Sequence, residues 1–403
     1  KIEKNNNSYT LRTSEGSVNT KKIVVATNGF YQEGLVPQMN SRILPVISNI
    51  IVTRKLSKNE IDKFNNIKFI VKNVNKDLEQ DTLDEIISKL NVNEIYFNGC
   101  FGMKINDNVI QEIFGNLIKK SNYKSRYKNI KIFNHKNKFK KKGIAITPVK
   151  FGISFTTIHL NQAGALVHIY TDGSVHLNHG GIEMGQGTHT KIAQLVAKSL
   201  GVPFAKVQIS STNTSKVPNT SASAASSTTD LNGAAALNAV TKIKDNLNSF
   251  LRSKYKIKSK SEPIYKNEKI YFGKKSFNFD KIIQEAYLNR VSLSSSGFYS
   301  TPKINFNKKS FKGRPFYYFC YGAAVTEVTI DTLTGENTVD RVDIIHDAGN
   351  AINPALELGQ IEGGFVQGQG WLTMEEVVWD SSGKLKTFSP STYKIPAISD
   401  MPK

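Results

Sequence analysis

The chain has 403 residues, room for two or three domains that each bury a core, and its 39% hydrophobic and 10% aromatic content belongs to a folded protein. No apolar run reaches the roughly 18 residues of a membrane span, which argues against a helical membrane protein, and the polar opening from Lys1 to Asn7 is unlike a secretory leader. Two cysteines, Cys100 and Cys320, are too few for a disulfide framework or an iron–sulfur cluster, and a net charge of +21 spread along the whole length argues against a focused nucleic-acid surface. A chain that opens on Lys1 reads as a fragment, and a reducing cytoplasm is the expected compartment.

Residues 1 to about 60 read as short strands. They comprise Tyr9 to Thr13 with a turn at Glu15-Gly16, then Lys22 to Gly29, then Ile43 through Ile47 to Thr53. Residues 61–99 are charged and poorly periodic, with one helix predicted from Asp81 to Leu90, and read as a linker or junction. The densest basic run, Lys136 to Lys142, carries a single ring, Phe139, where a nucleic-acid platform needs several. From Ala163 to Leu177 alternation predicts a β-hairpin with Asp172-Gly173 as a two-residue turn. A helix follows from about His189 to Leu200, stopped by Gly201 and Pro203. Another spans Ala234 to Leu247. A second hairpin, Tyr321 to Ile345, turns at Leu333-Thr334-Gly335, and the loop Asp347 to Pro354, a helix Leu356 to Thr373 and a strand-rich end complete an α+β pattern.

Three small-residue stretches carry the chemical signal. His179 to Gly187 places four glycines within eight residues directly before a helix, so backbone can approach a bulky ligand and the helix N-terminus can face an anion. The spacing fits neither a dinucleotide fingerprint nor a P-loop. Asn219 to Gly233 is a run of tiny and hydroxyl side chains opening an apolar helix, where a flexible linker would stay polar. Leu358 to Gly370 is helical by context yet rich in glycine, which costs up to about 1 kcal/mol per residue and suggests close packing against backbone or ligand. Gln186, Gln360 and Gln367 add amides suited to the edges of a heterocycle.

The segments Lys150 to Phe155, Leu160 to Leu166, His179 to Gly187, Pro218 to Gly233 and Pro390 to Pro396 resemble, in order and spacing, the molybdopterin-binding region of the xanthine dehydrogenase family. The resemblance covers about Cys100 to Lys403. It implies an α+β domain of the xanthine dehydrogenase/aldehyde oxidase type, truncated at both ends, that holds molybdopterin with its molybdenum and hydroxylates purines using water as the oxygen source. By that resemblance Met184, Gly185 and Gln186 contact the pterin, as do Ser223, Ala224, Ala225, Ser226, Thr228 and Gln360. Phe155 packs on the substrate ring, with Ala224 and Ala225 on the substrate side. Glu183 and Glu362 match structural positions. The family's base is a glutamate in a Gly-Glu-Pro-Pro type motif downstream of the Tyr-Lys-Ile-Pro element, and this chain reaches Lys403 without it, so no catalytic residue is assigned.

Lys21 to Phe30 and Ile43 to Thr53 resemble the interior of a glycine/D-amino-acid oxidase type FAD enzyme, without its phosphate-binding fingerprint. The expected organisation is therefore a FAD-oxidoreductase-like fragment at 1–60, a junction at 61–99 and a molybdopterin-binding domain at 100–403. The expected partners are a purine or related heterocycle and a domain or subunit carrying 2Fe-2S and FAD, in a homo- or hetero-oligomer, with neither nucleic acid nor membrane. The alternatives are a non-enzymatic remnant that binds no cofactor and a fragment of a FAD-dependent amine oxidase.

Overall fold

A computed structural model describes residues 109–402 except 218 and 260, together with strand residues 2–5, 8–13, 16–20, 98–99 and 103–104. It divides into two compact units, Lys1–Asp77 and Leu78–Lys403. In the first, β1 (Ile2–Asn5), β2 (Ser8–Thr13) and β3 (Gly16–Thr20) form an antiparallel sheet, with the expected strand at Tyr9 to Thr13 at its centre. The extended runs predicted at 22–29 and 43–53 and the helix predicted at 81–90 lie outside the described residues.

The second unit opens with the short ribbon β4 (Asn98–Gly99) and β5 (Met103–Lys104), helices α1 (Ile110–Lys120) and α2 (Tyr123–Lys136), and the long strand β6 (Lys140–Ile153). Next come β7 (Gln162–Ile169), β8 (Val175–His179), α3 (Thr188–Leu200), β9 (Val207–Ile209) and the 27-residue α4 (Thr228–Lys254). A three-stranded meander of β10 (Ile264–Lys266), β11 (Lys269–Phe272) and β12 (Lys275–Asn278) leads into α5 (Phe279–Leu288) and β13 (Ser294–Ser300). After the ribbon β14 (Asn305–Asn307) and β15 (Lys312–Arg314), the chain forms β16 (Tyr318–Asp331), β17 (Asn337–Asp347) and α6 (Pro354–Thr373).

Two sheets organise this unit. The first has strand order β13-β7-β8-β9, and strand alternation sends Ala163, Ala165, Val167 and Ile169 of β7 to one face. There they pack with Val175 and Leu177 against α3 and α4, whose Ile192, Val196, Leu200, Ala235, Ala236, Ala239 and Ile243 are buried. The second has order β17-β16-β6, and its Tyr321, Ala323 and Val325 pack against Ile113, Phe114 and Leu117 of α1. Of the basic run at 136–142, Lys142 is paired with carboxylates on this sheet. Lys142 pairs with Asp340 at 2.9 Å and Glu327 at 3.3 Å, while Arg126 bridges Glu327 and Asp343 at 2.8 and 2.7 Å.

Both predicted hairpins form, with longer turns than predicted. β7 and β8 are joined by residues 170–174, in which Gly173 has φ +82°, its N–H donates to Tyr170 O, and the Asp172 carboxylate accepts from Ser174 N and Oγ. A turn followed by a left-handed glycine is the next hairpin solution after the two-residue one. Gly201, at φ +66°, ends α3 as expected, and its added Cβ would meet the backbone of Tyr265 and Lys266. The expected strand-rich end is corrected: beyond β17 the described residues hold α6, turns, a short 3-10 helix at Ile398–Asp400 and one bridge between Trp379 and Leu385. That segment instead folds back on α6, with Gln369 donating to Asp400 O and Tyr393 to Glu375.

Candidate cofactor site

The glycine loop 180–187 leaves the end of β8 and enters α3, so the sheet fixes one end and the helix the other. Around it the structure gathers two further small-residue elements. A Cβ on Gly180 would collide with Thr220, and one on Gly181 with Thr228 at 2.8 Å. Ile182 N–H donates to Ser223 Oγ at 2.8 Å, so the 219–227 turn is hydrogen-bonded to the loop. That turn requires small residues because Ala225 and Ser226 take φ of +53° and +51°, where bulkier or β-branched side chains are strained. On the other side Gly187 meets Leu356 of α6, Lys191 approaches Glu357 at 3.9 Å, and Asn353 donates to Gln194 at 3.2 Å. Two stretches distant in sequence therefore converge on the loop.

Residues that sequence reasoning passed over hold this loop in shape. Thr212 donates to the carbonyls of His179 and Gly181 at 3.1 and 3.0 Å. His189 Nε2 donates to Gly181 O at 3.1 Å, and Gly181 N–H donates to His179 Nδ1 at 3.1 Å. A neutral His179 with Nδ1 accepting must carry its proton on Nε2, and that atom is buried without a partner among the described residues. Thr220 Oγ1 and Asn232 Oδ1, beside Gly180 and Gly181, are likewise buried and unpartnered among the described residues. Burial, with the His189 ring beside it, brings the His179 pKa down to about 4, so the ring is neutral at pH 7. The available sequence signal was a histidine at a strand end immediately before Gly-Gly.

The expectation that the helix N-terminus faces a ligand anion is corrected. The Glu183 carboxylate accepts from Gly185, Gly187 and His189 N–H, each at 2.9 Å, and so supplies that negative charge from within the chain. Burial pushes this carboxyl up, but the three backbone donors outweigh it and hold it below the usual carboxylate range. A depressed folded pKa contributes stability that is present above the unfolded value and lost as pH falls through the folded one. Glu183→Gln is therefore expected to cost about 1 kcal/mol at pH 7, at the low end for a cap because the group is exposed, with the difference shrinking below about pH 4. Urea unfolding at both pH values checks this; equal stabilities at pH 7 would remove the capping role.

Of the residues implied by resemblance, Met184, Gly185, Gln186, Ser223, Ala224, Ala225, Ser226 and Thr228 all lie in or beside the loop. Met184 is 68% exposed. The Gln186 amide is turned back on the loop, accepting from Met184 N at 2.6 Å and donating to Ile182 O at 2.8 Å. Gln360 is exposed and lies one turn along α6 from Leu356, on the same helix face that touches Gly187. Gln367 is exposed two turns further on. Phe155 is half-buried, and its hydrogen bonds stay within its own turn, where Asn161 accepts from its N–H at 2.7 Å and donates to its C=O at 2.9 Å. Of the two roles expected of the α6 glycines, packing against backbone is not found for most of them: among the described residues nothing stands within 4 Å of a Cβ built on Gly359, Gly363, Gly364 or Gly368. Only Gly370 is close-packed, against Glu375 and Pro396. Among the described residues no helix is long and apolar enough to cross a membrane.

The family described as Molybdopterin cofactor-binding domain matches residues 116–402. The chain is 46% identical over 302 residues to the xanthine dehydrogenase/oxidase of Gallus gallus, covering 75% of this chain and 21% of that protein. It is 44% identical over 311 residues to the xanthine dehydrogenase of Oryza sativa subsp. japonica, with the same coverage of 75% and 21%. Among solved structures, the Cu,Mo-CO dehydrogenase in its carbon monoxide reduced state is similar with a TM-score of 0.63 at 20% identity, covering 74% of this chain and 38% of that one. The aldehyde oxidoreductase from Desulfovibrio desulfuricans ATCC 27774 gives a TM-score of 0.61 at 21% identity, covering 83% and 33%. These structural likenesses show a shared α+β fold. The chain spans about a fifth of the length of the curated relatives it matches.

Proposed function

We infer the function from one premise: this chain belongs to the molybdopterin cofactor-binding domain family. We propose that it is the cofactor-holding part of a molybdenum hydroxylase of the xanthine dehydrogenase type, acting on a purine or related heterocycle. The observation that carries this is the convergence of the glycine loop, the 219–227 turn and the start of α6, with His179 Nε2, Thr220 Oγ1 and Asn232 Oδ1 buried there without a partner among the described residues. Unpaired buried polar atoms cost about 1–3 kcal/mol each, so a site that keeps three suits a polar heterocyclic group able to satisfy them.

Met184, Gly185 and Gln186 would hold the pterin from the loop, Ser223 to Ser226 and Thr228 from the turn, and Gln360 from α6. Phe155, Ala224 and Ala225 would border the substrate. When bound, the group supplies a molybdenum centre for two-electron oxidation of the heterocycle. The protein's part is positional: the Glu183 carboxylate fixes the loop onto α3, Ser223 ties the turn to it, and the left-handed Ala225–Ser226 backbone keeps that wall thin enough for a flat ligand.

The same reading proposes three segments, 1–60, 61–99 and 100–403, and places 2Fe-2S and FAD on other domains or subunits that complete catalysis. The flavin-oxidase resemblance of residues 1–60 lies outside the matched range and adds no activity to the proposal. The test is to purify the chain from a host that makes molybdopterin and to measure bound molybdenum and the fluorescent pterin oxidation product. Pterin and molybdenum are expected to co-purify with the chain; a pterin-free chain from a host that loads a full-length relative would overturn the reading and leave a remnant without cofactor.

A further inference from the structure

The four-stranded sheet carries a row of ligand-type side chains on the face turned away from its core. Register sets Ser294, His168, His176 and Gln208 opposite one another across β13, β7, β8 and β9. Their neighbours Val167, Ile169, Val175 and Leu177 point the other way and are buried, which fixes the backbone beneath the row. His176 Nδ1 lies 3.1 Å from His168 Nε2, and that same nitrogen is 3.1 Å from the Tyr170 hydroxyl. The two imidazole rings stand edge to face, 4.8 Å between centroids.

Two ring nitrogens this close either share one proton or face each other with lone pairs. A tetrahedral zinc ion with Zn–N distances of about 2.0–2.1 Å would hold its two nitrogens roughly 3.3–3.4 Å apart. Opening the pair by a few tenths of an ångström is enough to admit the ion. We propose that His168 and His176 form a cross-strand site for a borderline-soft divalent ion such as Zn2+, with water in the remaining positions and the Tyr170 hydroxyl hydrogen-bonded to that water. The ring that now places its proton between the two nitrogens moves it to its other nitrogen, so both lone pairs face the ion and no net proton is released.

Among the described residues no third His, Cys, Asp or Glu joins the pair, so the site is open and its ion exchangeable. It stands on a different face from the sheet's core and does not depend on the molybdopterin reading.

The test is calorimetric titration of the purified full chain with zinc chloride, alongside His168→Leu, His176→Leu and, as a control on α2, His135→Gln. One zinc ion per chain is expected, weakened roughly tenfold or more by either leucine variant and unchanged by the control. Far-UV circular dichroism establishes that the variants fold, and His176→Gln replaces any that does not. Cobalt(II), added instead of zinc, is expected to give visible absorption bands that the variants lose. No zinc binding by the wild-type chain, or equal binding by both leucine variants, overturns the proposal.

Discussion

Gly297→Ala is expected to destabilise the protein by about 3 kcal/mol or more, a large part of the 5–15 kcal/mol that a typical domain has to lose. Gly297 lies on β13 opposite Ala165, on the face covered by α4. A Cβ built there meets the carbonyl oxygen of Ala235 and stands 2.6 Å from the backbone nitrogen of Ala239. These are backbone atoms inside a helix, so no rotamer change relieves the overlap. α4 cannot back away either. Ala235, Ala236 and Ala239 are fully buried, and Asn238 and Lys242 donate to the Phe298 and Ser296 carbonyls at 2.7 and 2.9 Å, clamping helix to strand. Gly143→Ala is the matched control, because its Cβ would rest 3.6 Å from Val328 in ordinary contact. Urea unfolding of both variants checks the argument, and a Gly297→Ala protein within 1 kcal/mol of the control would show that helix and strand are not pressed together as described.

His179 is expected to make the protein acid-labile, by as much as about 3 kcal/mol between pH 6.5 and 4. Its pKa falls from 6.5 to about 4, through burial first and the His189 ring second. The unfolded chain therefore takes up a proton in this window that the folded one refuses, so stability is full above pH 6.5 and declines as pH falls toward 4. The geometry gives the reason: Nδ1 already accepts from Gly181 N–H at 3.1 Å, so a proton placed on it would oppose that donor inside a residue only 2% exposed. His179→Asn keeps an acceptor near the Nδ1 position but cannot titrate. Stability measured at pH 7.5, 5.5 and 4.5 is expected to fall less steeply for the variant, and identical slopes would assign the lability elsewhere.

Local rules read well from sequence wherever a single residue's conformational preference decides the outcome. The stop of α3 at Gly201 and the alternation of β7 follow from left-handed glycine and period-two burial, while α6 starts at Pro354, two residues before the expected Leu356, because proline suits a helix start. The turns read less well. Both Asp172-Gly173 and Leu333-Thr334-Gly335 lie in hairpin loops, but loop length depends on how the flanking strands register, and residues 170–174 and 332–336 are spent on it. α2 and β6 went unread because lysines interrupt their apolar pattern, whereas α1 was legible, with Ile110, Ile113, Phe114 and Leu117 at helical spacing, and was passed over.

At the candidate site the sequence by itself determined composition. Glycines at 180–187 and tiny residues at 219–227 mark where backbone, not side chain, forms a wall, and both stretches are among the segments that carry the family resemblance. Tertiary structure alone decided what each group is free to do. Glu183 was unremarkable as a letter between glycines, but the turn into α3 brings its carboxylate under three N–H donors and fills the anion position itself. His179 became a buried donor with no partner among the described residues because Thr220, Thr228 and Asn232, more than 40 positions away, close over Gly180 and Gly181. Sequence fixes the conformational preference of each residue, whereas the protonation state and the free hydrogen-bonding capacity of a group depend on which distant atoms exclude water from it.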